Sequence, residues 1–495
     1  MVELKWKGKL EIEDIISKPY ETKPFHVLDI YPSIGMDSKP DEKWQNLLIW
    51  GDNKTVMKSL ITKFKSKISL IYIDPPFGTG GNFNLKVQIG ENGNFIDEIA
   101  YNDKWNEGLN SYLDFMRERL ILMKLLLADS GVIFIHLDWH ISHYIKVIMD
   151  EIFGYENFRN EIIWAYPAAS VKTRRFFIRS YDTILFYSKT DDYVFRDDPR
   201  IYQEFSDRVK NALKKDDKGV FYYRGGSHNG KKLSRKVYVE TEGIFPRDVW
   251  SDIPYIRANT SEYQGFSTQK PERLLKRIIL ASTNSNDLVA DFFCGSGTTL
   301  TVAEKLGRRW IGCDSNKHAI HIVRKRILNL DKSNDIIDWK KKYNKTPQSF
   351  KILGIEKMDK LDTISYNLLK KEVQDQKGYK INESPNLHVK IHKQNNRINV
   401  ELIDYQLPFI DLISEKVKGD IKSFSDWIDY WAVDYYPQNN IFKAKWFSFR
   451  TPKDRKLALK SKYYHYDKPG NYNILIKVID IFGIETVISS ELKLV

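Results

Sequence analysis

The chain has 495 residues, 42% of them hydrophobic, and carries a formal net charge of +13. That length and apolar content exclude wholesale disorder and leave room for two or three packed domains. The positive balance, with 13% aromatic residues, favours a polyanion partner, nucleic acid or an anionic membrane surface. Codon bias in an AT-rich genome yields the same charge, so the partner has to be read from motifs. The two cysteines, Cys294 and Cys313, fit no CxxC or zinc spacing, which fits a reducing cytosol with no disulfide framework. The N-terminal segment MVELKWKGKLEIEDI has no apolar signal-like core. The greasy run Leu120–Leu137 is broken by Lys124, Asp129 and His136, too polar to span a bilayer. A soluble, cytoplasmic protein without membrane attachment is expected.

Residues 1–41 read as a peripheral arm. Leu47-Leu48-Ile49-Trp50 predicts a buried strand, ended by Gly51-Asp52-Asn53 ahead of a helix. Ile68–Ile73 predicts a second apolar, β-branched strand that stops at Asp74-Pro75-Pro76. Ser111, with Asp114 three residues on, resembles a capping box for a helix to about Asp129, ended by Gly131. The strand Val132–Ile135 and a helix Ser142–Phe153 follow. Residues 190–262 break the rhythm with a polar, basic, turn-rich insert. The alternation resumes at Pro271 with a helix, the strand Leu288–Phe292, a glycine turn, a helix Thr298–Leu306 closed by Gly307, and the strand Trp310–Cys313. Strands separated by helices in this way predict an α/β fold with a doubly wound, mostly parallel sheet over residues 42–330. Residues 331–394 read as a charged connecting segment. Residues 395–495 read as a β-rich domain, with Tyr472–Ile479 its clearest strand.

Two motifs carry chemistry. Asp291-Phe292-Phe293-Cys294-Gly295-Ser296-Gly297-Thr298-Thr299 lies between a strand and a helix. The glycines allow a tight turn and close approach of a ligand to backbone. The third glycine of the dinucleotide fingerprint is missing, which argues against a pyrophosphate. The next strand ends in Asp314, placed to take ribose hydroxyls. A nucleoside without phosphates fits, and S-adenosylmethionine is one. The second motif, Asp74-Pro75-Pro76-Phe77, puts a carboxylate and a stiff, N–H-poor loop at a strand end. The Asp74 carboxylate and the Pro75 carbonyl can hold both N–H bonds of an exocyclic amino group, while Phe77 offers a face for a flipped base.

Together these motifs resemble the amino-methylating DNA methyltransferases. The catalytic motif precedes the cofactor motif, as in the permuted beta class, which includes the modification subunits of type III restriction–modification systems. The resemblance covers about residues 42–330 and implies a Rossmann-like S-adenosylmethionine-dependent fold. Trp50-Gly51-Asp52-Asn53 is similar to the segment whose acid touches the cofactor adenine. Ser267-Thr268-Gln269-Lys270-Pro271-Glu272 resembles the segment that cradles the methionine end. The resemblance implies cofactor contacts from Asp52, Thr268, Lys270, Pro271, Asp291, Phe293, Cys294, Gly295, Ser296, Gly297 and Asp314. It implies a catalytic role for Asp74, Pro75, Pro76 and Phe77, and a target-recognition role for residues 190–262. An acid at the first catalytic position marks N6-adenine enzymes more often than N4-cytosine enzymes, so N6 of adenine is the expected target and N4 of cytosine the alternative.

Lys172, Arg174, Arg175 and Arg179 surround Phe176 and Phe177 with no acid among them. They predict contact with DNA phosphates, against the bland alternative of a solvated basic loop. His136, His140 and His143 match no zinc motif, and no metal site is expected. The C-terminal turn and strand pattern resembles small β-sandwich modules appended to some relatives. No helicase or nuclease motif occurs, so cleavage would reside in another polypeptide. Double-stranded DNA is the expected partner; the resemblance adds a restriction subunit and a homodimer. A rival reading makes the chain chiefly the DNA-recognition subunit of a restriction complex.

Overall fold

The computed structural model describes residues 2–17, 22–32, 44–91, 93–103, 105, 108–167, 175–228, 231–239, 243–355, 385–439 and 441–494. Among the described residues the main sheet is built from eleven strands. In chain order they are β1 (His26–Tyr31), β2 (Asn46–Trp50), β3 (Ile68–Ile73), β4 (Leu127–Leu137), β5 (Phe158–Ala165), β6 (Tyr181–Ser188), β7 (Val249–Trp250), β8 (Leu288–Asp291), β9 (Arg309–Asp314), β10 (Phe350–Gly354) and β11 (Phe442–Lys443). Across the sheet they run β7-β5-β6-β4-β3-β8-β9-β2-β10-β1-β11. The six strands from β4 to β10 are mutually parallel. β6 is antiparallel to both neighbours, and β1 is antiparallel to β10. This is the mostly parallel α/β sheet expected.

The period-2 geometry of the strands sorts their apolar residues into two cores. Leu48, Leu70, Tyr72, Val132 and Phe134 pack on one face. Ile49, Ile71, Ile73, Ile133 and Ile135 pack on the other. Helices α1 (Asn53–Phe64), α2 (Leu109–Leu126), α3 (Ser142–Phe153), α4 (Glu272–Ser282), α5 (Thr298–Lys305) and α6 (Lys317–Leu328) cover these faces. From β3 the chain crosses through α2 to β4 on one side. From β8 it crosses through α5 to β9 on the other. A crevice therefore opens between the C-terminal ends of β3 and β8, the usual ligand position in such sheets.

Several local readings are corrected. α2 starts at Leu109 with Gly108 as its N-cap, and Ser111 instead donates to the Gly108 carbonyl at 3.0 Å. The helix ends at Leu126, not near Asp129, and β4 follows at once. Gly131 lies within β4, where a Cβ would stand 2.8 Å from the Ile68 carbonyl oxygen and from Leu127 Cγ. That glycine serves close strand packing rather than helix termination. β1 lies inside the segment read as a peripheral arm, and β10 inside the connecting segment; pairing with each other and with β2 recruits both into the sheet.

The insert forms a three-stranded antiparallel sheet from Lys214–Asp216, Gly219–His228 and Lys231–Tyr238. The C-terminal region is β-rich, as expected. One sheet pairs Trp446–Phe449, Ile428–Asp434, Gly470–Asp480 and Glu485–Leu494. A second pairs Asn386–Gln394, Arg397–Gln406 and Tyr464–His465. The seam with the main sheet is charged and buried. Arg324 on α6 bonds Asp29 on β1 at 2.7 Å, Lys477 pairs with the same Asp29, and His321 bonds Asp429 at 2.8 Å. β11 extends this seam by pairing with β1. No helix among the described residues is long and apolar enough to cross a membrane.

Candidate active site

Asp52, Asp74, Asp291 and Asp314 all lie at the C-terminal edge of the parallel strands, Asp52 two residues beyond β2, Asp74 one residue beyond β3, and the others closing β8 and β9. β3 and β8 are direct neighbours, so Asp74 and the glycine turn flank one crevice. The Lys270 ammonium donates to Asp74 Oδ2 at 2.6 Å and also reaches the Thr268 carbonyl at 3.3 Å. Asp74 Oδ1 is buried and has no hydrogen-bond partner among the described residues. A buried carboxylate oxygen without a donor is unfavourable unless a ligand supplies one. Phe77 stacks on His136 with ring centroids 6.3 Å apart, and the Lys270 ammonium lies 5.4 Å from its ring centre.

The turn after β8 is held from within. Asp291 accepts from Phe293 N at 3.0 Å and from the Thr299 hydroxyl at 2.5 Å; burial pushes its carboxyl up to about 7. Asp314 accepts from Gly295 N and Asn316 N, each at 2.9 Å, and burial raises its carboxyl as well. Both acids thus fix the turn. Gly295 and Gly297 have φ of 46° and 75°, left-handed values that favour glycine. A Cβ on Gly297 would meet Val323 Cγ2 at 2.7 Å, whereas one on Gly295 would meet nothing within 4 Å. Cys294 is buried, and burial pushes its thiol well up. Ser296 contributes its carbonyl to Arg326 at 3.0 Å.

Sequence reading missed the residues that brace these elements. Asp52 caps α1 by accepting from Thr55 N at 3.0 Å, and its other oxygen accepts from Arg119 at 2.9 Å. Arg119 also donates to Asn53 Oδ1 at 2.5 Å, and Asn53 in turn donates to the Phe292 carbonyl at 2.9 Å. Asp103, fully buried, accepts from Gly78 N at 2.9 Å and Thr79 N at 2.7 Å, which pins the loop after Phe77. Pro271 precedes α4 as its N-cap, and Glu272 accepts from Arg326 at 2.9 Å and from Lys305 at 2.7 Å. The N-capping signal was visible for Asp52; nothing local marks Arg119 or Asp103.

The family description "DNA methylase" of the N6/N4 class matches residues 68–325, which contain both half-sites. The chain belongs to this family. It is 32% identical over 371 residues to the type II methyltransferase M.EcaI of Enterobacter cloacae, covering 66% of this chain and 77% of that protein. It is 27% identical over 429 residues to the "Probable type III restriction-modification enzyme HindVI Mod subunit" of Haemophilus influenzae, covering 63% of this chain and 55% of the relative. It is 28% identical over 283 residues to the DNA adenine methyltransferase YhdJ of Escherichia coli, covering 57% and 82%. The family is one of S-adenosylmethionine-dependent methyltransferases.

Around the methylase crevice, His136 has both ring nitrogens engaged, by Tyr72 OH and by Asp182, each at 2.9 Å. The Asp182 carboxylate accepts from Nε2. His140 bonds Asp138, and no group of His, Cys, Asp and Glu among the described residues is arranged to hold a metal. Of the basic residues predicted to meet DNA, Lys172 and Arg174 lie outside the described residues. Arg175 is exposed, and Arg179 stacks 3.7 Å from the centre of the Trp139 ring.

Proposed function

We propose that this methylase is a site-specific DNA methyltransferase that modifies N6 of adenine in a base rotated out of the duplex, as part of a restriction–modification or related system. The observation that carries the reading is the buried Asp74 Oδ1, which has no hydrogen-bond partner among the described residues. Lys270 occupies the other oxygen, which leaves this acceptor for a donor from a ligand. An exocyclic amino group is such a donor. Asp74 takes one N–H, the Pro75 carbonyl takes the second, and Phe77 supports the ring. This favours a nitrogen whose lone pair is turned out of conjugation, and the rate gain comes from positioning and preorganised dipoles.

Asp52 and Asp314 are assigned to the adenosine of S-adenosylmethionine. The turn Phe293–Gly297, together with Asp291, Thr268, Lys270 and Pro271, is assigned to its methionine end. The open space over Gly295 fits a ligand there. When bound, S-adenosylmethionine supplies an electrophilic methyl group on a sulfonium. The insert 190–262 is read as the target-recognition region of a catalytic domain spanning 42–330. Ten lysines and arginines against two aspartates lie between Arg208 and Lys236. A paired β-ribbon suits the major groove, and YhdJ and the HindVI Mod subunit supply the precedent for adenine and for a restriction partner.

Asp74→Ala should abolish methyl transfer to duplex DNA while S-adenosylmethionine binding by calorimetry persists. Near-normal turnover in that variant would refute the mechanism. Single-molecule sequencing of DNA from cells expressing the chain should show N6-methyladenine; N4-methylcytosine would overturn the adenine assignment alone.

A further inference from the structure

The loop Arg175–Ser180 stands beside the candidate base site. Phe177 is 96% exposed and Phe176 57% exposed, next to Ile178, which is also exposed. A lone exposed apolar residue is ordinary on a protein surface. Three placements set this one apart. Arg179 lies 3.7 Å from the ring centre of Trp139 and 5.2 Å from that of Phe176, which fastens the loop to the chain just beyond β4 and leaves Phe177 projecting. β6 starts two residues after Arg179, and its Asp182 bonds His136, on which Phe77 stacks. β6 is two strands from β3, about 10 Å at the usual strand spacing. The segment Val171–Tyr181 contains basic residues and no acid, so its charge complements a phosphate backbone.

We infer that Phe177 is a wedge that enters the DNA duplex at the target and fills the stacking gap left by the base taken into the Asp74–Phe77 site. The inference rests on the reading that the base is rotated out of the helix. Apolar side chains inserted between base steps unstack them, and an aromatic ring replaces part of the lost stacking. Arg175 and Arg179 hold the flanking phosphates. The guanidinium of Arg179 on Trp139 keeps the wedge at a fixed distance from the pocket. Phe177 is thus a positioning residue for the substrate, not a group that touches the reacting atoms.

The test uses the full chain with Phe177→Ala and Phe177→Trp. Methylation of unmodified genomic DNA with labelled S-adenosylmethionine, followed by sequencing, first defines the target. Synthetic duplexes with that target are then compared in two forms, fully paired and with an abasic position opposite the target base. On the paired duplex, Phe177→Ala should lose about tenfold or more in kcat/KM. On the abasic duplex it should return to within about threefold of the unaltered chain, because the base there is already unpaired. Phe177→Trp should retain activity on both. Equal losses on the two duplexes, or none on the paired one, would overturn the wedge. 2-Aminopurine at the target position separates the two readings. No fluorescence rise with the unaltered chain defeats base rotation itself, and the wedge with it. A full rise with Phe177→Ala defeats the wedge alone. Unchanged methylation with loss of a co-purifying restriction subunit would assign Phe177 to a protein interface instead.

Discussion

Alanine at Gly295 and alanine at Gly297 should fail in opposite ways, although the two glycines share one turn. Both have positive φ, and a left-handed backbone costs a non-glycine residue about 1–2 kcal/mol. At Gly297 the added methyl also stands 2.7 Å from Val323 Cγ2, inside a packed core. Overpacking of this kind costs about 1–3 kcal/mol more, so Gly297→Ala should lose about 2–5 kcal/mol of stability in urea unfolding. Val323→Ala in the same chain should restore part of that loss, since contacting pairs couple by about 0.5–3 kcal/mol. At Gly295 no atom lies within 4 Å, so only the backbone cost of about 1–2 kcal/mol applies. Its methyl, however, projects into the space assigned to the cofactor. S-Adenosylmethionine affinity by calorimetry should fall by about tenfold or more, equivalent to at least ~1.4 kcal/mol. If Gly295→Ala binds cofactor normally, the cofactor does not occupy that side of the turn. If Gly297→Ala unfolds like the unaltered chain, the turn is not packed against α6 as described.

Two further perturbations probe the bracing residues and the seam. Arg119→Ala removes the fork that joins Asp52 to Asn53; the KM for S-adenosylmethionine should rise about tenfold with kcat at saturating cofactor little changed, and Arg119→Lys should not restore it because an ammonium lacks the planar fork. A fall in kcat at unchanged KM would contradict the placement. Burial pushes the imidazole of His321 down to about 3, so between pH 6.5 and 3 the unfolded chain takes up a proton there that the folded chain refuses. Stability should therefore fall on acidification through that window by up to roughly 1.4 kcal/mol per pH unit, and His321→Gln should flatten the slope in unfolding measured from pH 7 to 4.

The fold and the two motifs of the candidate site were legible because their signals are local. Leu70–Ile73 alternates between two cores and the strand stops at prolines, so a buried strand was readable from the run Ile68–Pro76. Gly307 adopts φ of 70° just after α5, as its place at the helix end predicts. The failures have a common cause as well. The capping box at Ser111 was a pattern match overridden when Gly108, able to take φ of 64°, set the helix start three residues earlier. β1 and β10 are short strands set by pairings distant in sequence, with each other across more than three hundred residues of chain and with β11 and β2 on their outer sides. Arg119 looks like one more charge on a helix until Asp52, 67 residues away in sequence, meets it. Asp103 binds three groups of a loop 24 and 25 residues upstream, and no periodicity announces that.

The stretch Thr268–Glu272 explains why the order of the two motifs along the chain does not matter to the chemistry. Lys270 sends its ammonium to Asp74, 196 residues away, and its carbonyl accepts from the Thr298 hydroxyl at 3.1 Å. Two residues on, Glu272 binds Arg326, whose other nitrogen holds the Ser296 carbonyl and the Thr298 hydroxyl, each at 3.0 Å. One short segment thus grips the base half through a side chain and the cofactor half through backbone and a buried ion pair. A buried pair of this kind adds little net stability, but breaking one partner leaves a charge uncompensated. The segment is therefore better understood as a spacer than as a source of stability. It fixes the separation of the Asp74 carboxylate from the Gly295–Gly297 turn, and that separation, rather than the position of either motif in the sequence, is what a methyl transfer between them requires.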